Sequence, residues 1–103
     1  MAKRLSPVHP GEILYEEFMK PMAISQNGLA QALRVPTPRI GEIVNRRRSI
    51  TPGTALRLGR YFDTTPEFWM NLQTHYDLEV TRSHDEAKVR REVKPARHAA
   101  LGT

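Results

Sequence analysis

Arg39 carries the most specific chemistry in the chain. It follows Thr37-Pro38 at what reads as the start of a helix. A planar guanidinium presents two parallel donors that match O6 and N7 of a guanine edge. Thr37 and Pro38 stand at the same helix start, where a hydroxyl and a compact ring can meet a base or its backbone. Glu42, about one helical turn further on, has two fates. It can accept from cytosine N4, or, more commonly for a surface acid, pair with a neighbouring arginine. Asn45 and Arg46-Arg47-Arg48 close the segment as candidates for phosphate contacts. Upstream, Gln26 opens a helix of its own, where a side-chain amide and unpaired backbone N–H groups together suit a phosphate oxygen. Charge is distributed to match. The net charge is +5, and residues 34 to 60 hold seven arginines against one acid, whereas residues 12 to 17 are acidic. Such a balance favours polyanionic partners, nucleic acid first.

Other chemistries find little support. The histidines, His9, His75, His84 and His98, are scattered, with no partner at ligand spacing, and cysteine is absent; neither metal nor disulfide is expected. Ser25, His75 and Asp77 show no order of nucleophile, base and orienting acid. No glycine-rich phosphate loop and no His-Glu-x-x-His is present. The reading is therefore of a protein that is not an enzyme, with no cofactor and no small-molecule ligand. No apolar run approaches the ~18 residues of a membrane span, and the first ten residues lack the apolar stretch of a secretory signal. A cytoplasmic protein without membrane contact is expected.

The elements that position these residues are all helical. Pro beside Ser or Thr punctuates the chain, and the spacing between breaks is helical rather than alternating. Helices are expected at about 10–20, 26–33, 38–45, 52–62 and 66–80. Ser25, Thr37, Thr51 and Thr65 are the expected N-caps, with Pro38, Pro52 and Pro66 at first helical positions. Inward stripes follow: Ile13, Leu14 and Phe18; Leu29, Ala30 and Leu33; Ile40, Ile43 and Val44; Ala55, Leu58 and Phe62; Phe68, Trp69, Leu72 and Tyr76. Trp69 suits a core. The face it shares with Phe68, Leu72 and Tyr76 is wider than one small domain needs, and part of it is assigned to a dimer seam. Residues 1–8 are expected to be flexible, 9–81 to form one domain, and 82–103 to form a basic extension, either a short helix around His84–Val93 or a disordered tail.

Ser25 to Asn45 reads as a helix-turn-helix. Leu29, Ala30 and Leu33 face Ile40 and Ile43, small Ala30 lets the helices approach, and Val35 plugs the turn. With His9-Pro10-Gly11-Glu12, Ser25-Gln26-Asn27, Ile50-Thr51, Ala55-Leu56-Arg57-Leu58 and Pro66-Glu67-Phe68-Trp69-Met70-Asn71-Leu72-Gln73, the segment from about His9 to Val80 resembles the HigA family of antitoxins. That family belongs to the Xre/Cro-like helix-turn-helix proteins. The resemblance implies an all-α, five-helix, phage-repressor-like domain that forms a homodimer, binds a palindromic double-stranded operator and represses its own operon. It also implies a partner, a small HigB-like ribonuclease toxin. A stand-alone repressor without a toxin is the alternative, and a protein-neutralising module that ignores DNA is a third reading. The acidic face of Glu12, Glu16 and Glu17 suits a basic ribonuclease.

Two positions depart from the family's pattern. Arg34 stands in the turn where glycine is usual, a place that needs positive φ and costs a residue with a Cβ on the order of 1 kcal/mol. Arg46 stands where a glycine helix stop is common, so Asn45 is a candidate for the left-handed conformation. Gly41, inside the third helix, weakens it by roughly 1 kcal/mol relative to alanine but allows close approach to a groove wall or thymine methyl.

Overall fold

In the computed structural model, residues 6–96 are described. The first five residues of the expected flexible start, and the expected tail from residue 97 onward, lie outside them. The described residues form five helices and no strand. The first, α1, begins as an α-helix over Pro10–Ile13 and continues with wider, π-helical winding over Leu14–Met19. It is followed by α2 (Gln26–Leu33), α3 (Thr37–Val44), α4 (Pro52–Phe62) and α5 (Pro66–Glu92).

Local chemistry starts most of these helices where the sequence says it should. Ser25 Oγ accepts from the Gly28 amide at 2.9 Å, Thr51 Oγ1 from Thr54 at 3.4 Å and Thr65 Oγ1 from Phe68 at 3.0 Å. Each satisfies one of the orphan donors of a first turn. Thr37 is the exception. Pro36 occupies the cap position with extended backbone and no side-chain cap bond is made. The Arg39 amide is already held by the Pro36 carbonyl at 3.0 Å, so α3 starts one residue earlier and Thr37 is its first helical residue. Its hydroxyl turns instead to Asn27.

The first four helices end by one device. Ala23, Arg34, Arg46 and Asp63 all have φ between 56° and 64°, and no glycine among the described residues has positive φ. After each of them the next amide reaches back to a carbonyl five residues earlier: Ile24 to Met19, Val35 to Ala30, Arg47 to Glu42 and Thr64 to Gly59, at 2.8 to 3.0 Å. This is the Schellman ending, normally built on glycine. Arg34 thus takes the conformation that its place in the turn demands. Asn45 does not; at φ −87°, ψ 12° it continues past the helix and Arg46 turns left-handed. The reason is register, because the bond from Arg47 to Glu42 places the turning residue at 46. Ala23→Gly removes a Cβ from such an ending and is expected to stabilise the fold by about 1 kcal/mol, read as a raised urea midpoint at unchanged slope.

The core is one cluster: Leu14, Met19, Leu29, Ala30, Leu33, Ile40, Ile43, Ile50, Ala55, Leu58 and Trp69, with Phe18, Val35, Phe62 and Leu72 packed against it. Trp69 has no exposed surface. Its indole N–H donates to Thr64 Oγ1 at 2.8 Å and its ring meets Phe18 and Phe68 with centroids 5.0 Å apart. It therefore cannot form part of a seam between protomers; its size and single donor suit an interior anchored to the α4–α5 turn. Buried Gln73 ties α5 to the α3–α4 loop, accepting from the Ile50 amide at 2.7 Å and donating to Asp77 at 2.9 Å.

The fifth helix does not stop near Val80. It runs unbroken for 27 residues to Glu92, about 40 Å at the α-helical rise, and the molecule measures 57 × 30 × 23 Å. Neither proline nor glycine interrupts the chain between Pro66 and Pro95. Residues 81–92 are all exposed. Local bonds support them: Arg82 to Glu79 at 2.8 Å, Arg90 to Glu86 at 3.7 Å, and Ser83 Oγ to the Val80 carbonyl at 2.9 Å.

Candidate nucleic-acid interface

The interface is built on the angle between α2 and α3. Leu29, Ala30 and Leu33 bury one face of α2 against Ile40 and Ile43 of α3, and left-handed Arg34 turns the chain between them. Arg57 closes the end of α2 by donating to the Leu33 carbonyl at 2.9 Å, a cation at the negative end of a helix. With the buried faces fixed in this way, the N-termini of α2 and α3 lie side by side at the surface.

Two contacts lock that juxtaposition. Thr37 Oγ1 donates to Asn27 Oδ1 at 3.0 Å. Gln26 lays its side chain over Gly41, so closely that a Cβ at 41 would stand 3.0 Å from Gln26 Oε1. The open side of Gly41 is thus faced by the Gln26 side chain. Gln26, Asn27, Thr37 and Pro38 are exposed, and Arg39 is half-buried beside them with no ion pair among the described residues. Donors, an acceptor and two helix N-termini thus converge on one edge, the arrangement that meets base edges and phosphates together.

The arginine cluster divides at the other end of α3. Arg48 Nε binds Glu42 Oε1 at 2.7 Å, so the acid is tied to a neighbour and lowers the local charge rather than standing open to a cytosine. Arg46 reaches Glu12 on α1 at 4.0 Å. Arg47 and Asn45 are exposed, and among the described residues Arg47 has no ion pair.

Behind this end of α3 lies His9, which sequence reasoning passed over as one of four scattered histidines. It is buried, and its Nδ1 accepts from the Gly11 amide at 2.9 Å. Its ring stands edge-on to Tyr76 with centroids 4.8 Å apart. Burial first, then the Arg46 guanidinium, lowers its pKa below the ordinary 6.5, with Asp77 opposing. Asn27 was missed too; only its place next to Gln26 hinted at it. On the expected seam, Phe68 is 37% exposed, while Leu72 is half-buried and Tyr76 is engaged with His9.

Comparison with known proteins agrees with this geometry. Residues 16–69 match the Helix-turn-helix family HTH_3. The chain is similar to virulence-associated protein I of Dichelobacter nodosus, 50% identical over 78% of this chain and 74% of that one. It is also similar to antitoxin HigA-1 of Vibrio cholerae, 38% identical over 86% and 83%. A solved structure of Pseudomonas aeruginosa antitoxin HigA with the higBA promoter superposes with a TM-score of 0.85, at 44% identity over 87% of this chain and 98% of that one. Fold and surface define a helix-turn-helix protein of the Xre/Cro type. The chain belongs to this family, in its HigA antitoxin branch.

Proposed function

We propose that this chain is an antitoxin that binds a palindromic operator as a homodimer, represses its own operon and neutralises a HigB-like ribonuclease. The observation that carries the DNA half is the shared edge of α2 and α3, where Arg39, without an ion-pair partner among the described residues, stands beside Thr37, Asn27 and Gln26. Arg39 reads a guanine, Thr37 and Pro38 meet the neighbouring backbone or base, and Gln26 holds a phosphate at the α2 N-terminus. Asn45 and Arg46 to Arg48 follow the flanking backbone, with Arg47 the strongest contributor because Arg46 and Arg48 are shared with acids. The similar Pseudomonas antitoxin solved with its promoter supports this placement.

One such helix reads only a few base pairs. Two copies related by a twofold axis place their α3 helices about 34 Å apart, in successive major grooves. Phe68, Leu72 and Tyr76 form the proposed seam, without Trp69. The toxin contact is assigned to α1, where Glu12, Glu16 and Glu17 are exposed. Charge complementarity to a basic ribonuclease would speed encounter and fix orientation.

The test is copurification at moderate salt from the native host, followed by binding of the recovered species to the upstream DNA of the chain's own gene. A stoichiometric small basic chain encoded next door, together with operator binding, is the expected result. A clean homodimer that binds the operator would replace the antitoxin reading with a stand-alone repressor. Failure to bind DNA would leave only a protein-neutralising module. Joint replacement Glu16→Lys and Glu17→Lys is expected to weaken toxin binding at least tenfold, roughly what disruption of rim charges achieves; unchanged affinity moves the contact off α1.

A further inference from the structure

The His9-Pro10-Gly11-Glu12 motif is assigned neither to the proposed DNA contact nor to the proposed seam, yet its Gly11 is the most closely confined of the described glycines. Buried His9 caps α1 through Nδ1, so its neutral ring keeps a lone pair on that atom and carries its proton on Nε2. The cap fixes Gly11, and Gly11 lies against the Ile43 carbonyl: a Cβ there would overlap the Ile43 oxygen and stand 2.7 Å from the carbonyl carbon. The same Ile43 carbonyl accepts from the Arg46 amide at 3.0 Å. It is the acceptor on which the chain leaves α3 and turns into left-handed Arg46. Glu12 of the motif then reaches the Arg46 side chain at 4.0 Å. Two adjacent residues of α1 thus seat the C-terminal end of the recognition helix and the first of the three arginines.

We propose that His9 is a positioning residue for α3 and that protonation of its ring makes the chain release operator DNA. The inference rests on α3 being the recognition helix. A proton on Nδ1 sets N–H against the Gly11 N–H and abolishes the cap. The charged and titratable groups facing the ring are Arg46 from the α3–α4 loop and Asp77 and Tyr76 from α5. Asp77 already binds Gln73 at 2.9 Å, which in turn holds Ile50; drawing Asp77 to an imidazolium disturbs the loop that carries the arginines. Repulsion from Arg46 acts on the same loop. Both pulls act on the backbone seated by Gly11.

The direction of the effect is diagnostic. Added positive charge strengthens binding to DNA through the phosphate backbone, so acidification of a basic protein tightens binding unless geometry is lost. Here it weakens binding. The folded pKa of His9 lies below the unfolded 6.5. Its contribution to stability is therefore complete above about pH 6.5 and declines as the pH falls from there toward the folded value.

Operator affinity is measured at fixed salt from about pH 7.5 to about pH 5.5, a range that spans histidine titration, on the full chain and on His9→Asn. Asparagine caps as an acceptor without titrating. The wild-type chain is expected to lose affinity by a few-fold at the acid end, below the roughly tenfold ceiling for a group whose pKa lies under 6.5. His9→Asn is expected to hold its affinity across the range or to tighten. Circular dichroism at the acid end confirms that the chain remains folded. Parallel profiles for the two proteins overturn the proposal, as does a wild-type chain that tightens in acid. Absence of operator binding at the neutral end overturns the DNA reading itself, and this inference with it. Should His9→Asn fail to fold, amide NMR on the wild-type protein decides. Gly11, Ile43 and Arg46 are expected to shift with the His9 ring in one titration, and a shift confined to Gly11 overturns the proposal.

Discussion

Arg39→Ala is expected to weaken binding to the cognate operator by roughly tenfold to a hundredfold and to erase discrimination at one base pair, in line with the ~1–3 kcal/mol of a bidentate arginine–guanine contact. The position is what makes the effect large. Arg39 sits in the first turn of α3, half-buried and free of ion pairs among the described residues, so its fork is available and its stem is partly ordered before DNA arrives. The contrast is Arg47→Ala. That exposed residue is expected to weaken all sequences alike and to reduce the slope of log affinity against log salt by about one. Competition by operators carrying single base-pair changes separates the two. Equal losses on cognate and random DNA after Arg39→Ala would make Arg39 a phosphate residue.

The second large effect falls on stability. Gly11→Ala is expected to destabilise the fold by about 3 kcal/mol, the upper range for overpacking. The new methyl meets the Ile43 carbonyl, a backbone group, and His9 Nδ1 lies 3.1 Å away on another side. Neither is the free end of a flexible chain, so the strain cannot be relieved by a rotamer change and α1 must move off α3. Gly53→Ala is the control. Nothing lies within 4 Å of a Cβ there, and because alanine favours helix over glycine the change is expected to stabilise by up to about 1 kcal/mol. Urea midpoints at constant slope report both. A Gly11→Ala protein as stable as wild type would mean that α1 and α3 are not in contact at this point.

Most of this architecture is legible in the sequence because it rests on local rules. Ser25, Thr51 and Thr65 cap where a hydroxyl before a helical run should cap, and Leu29, Ala30, Leu33, Ile40 and Ile43 are buried as their 3.6-residue spacing requires. Even the left-handed turn at Arg34 follows from its place between two helices. What escaped depends on contacts between distant residues. His9 reads as isolated because its partners, Tyr76 and Asp77, lie far along the chain. Thr37 looks like a cap until the bond to Asn27 across the turn is seen. The left-handed residue after α3 is Arg46 rather than Asn45 because a backbone bond from Arg47 sets the register. Trp69 suits a core by pattern but shares a face assigned in part to a seam, and packing against Phe18 and Thr64 decides for the core. The continuation of α5 to Glu92 was obscured because its last turns lack an apolar face, the signal by which helices are usually recognised.

The endings at Ala23, Arg34, Arg46 and Asp63 bear on how much of the protein a cell keeps. Each holds a Cβ where glycine would be relaxed, at a cost on the order of 1 kcal/mol. Domains of this size stand only about 5–15 kcal/mol above their unfolded chains, so four such endings consume a noticeable share of the margin. A chain with a narrow margin exposes itself more often to degradation. Anything that binds only the folded form, whether DNA on α3 or a protein on α1, then lengthens its lifetime by mass action. If operator DNA or a toxin binds only the folded chain as proposed, abundance is expected to rise with occupancy.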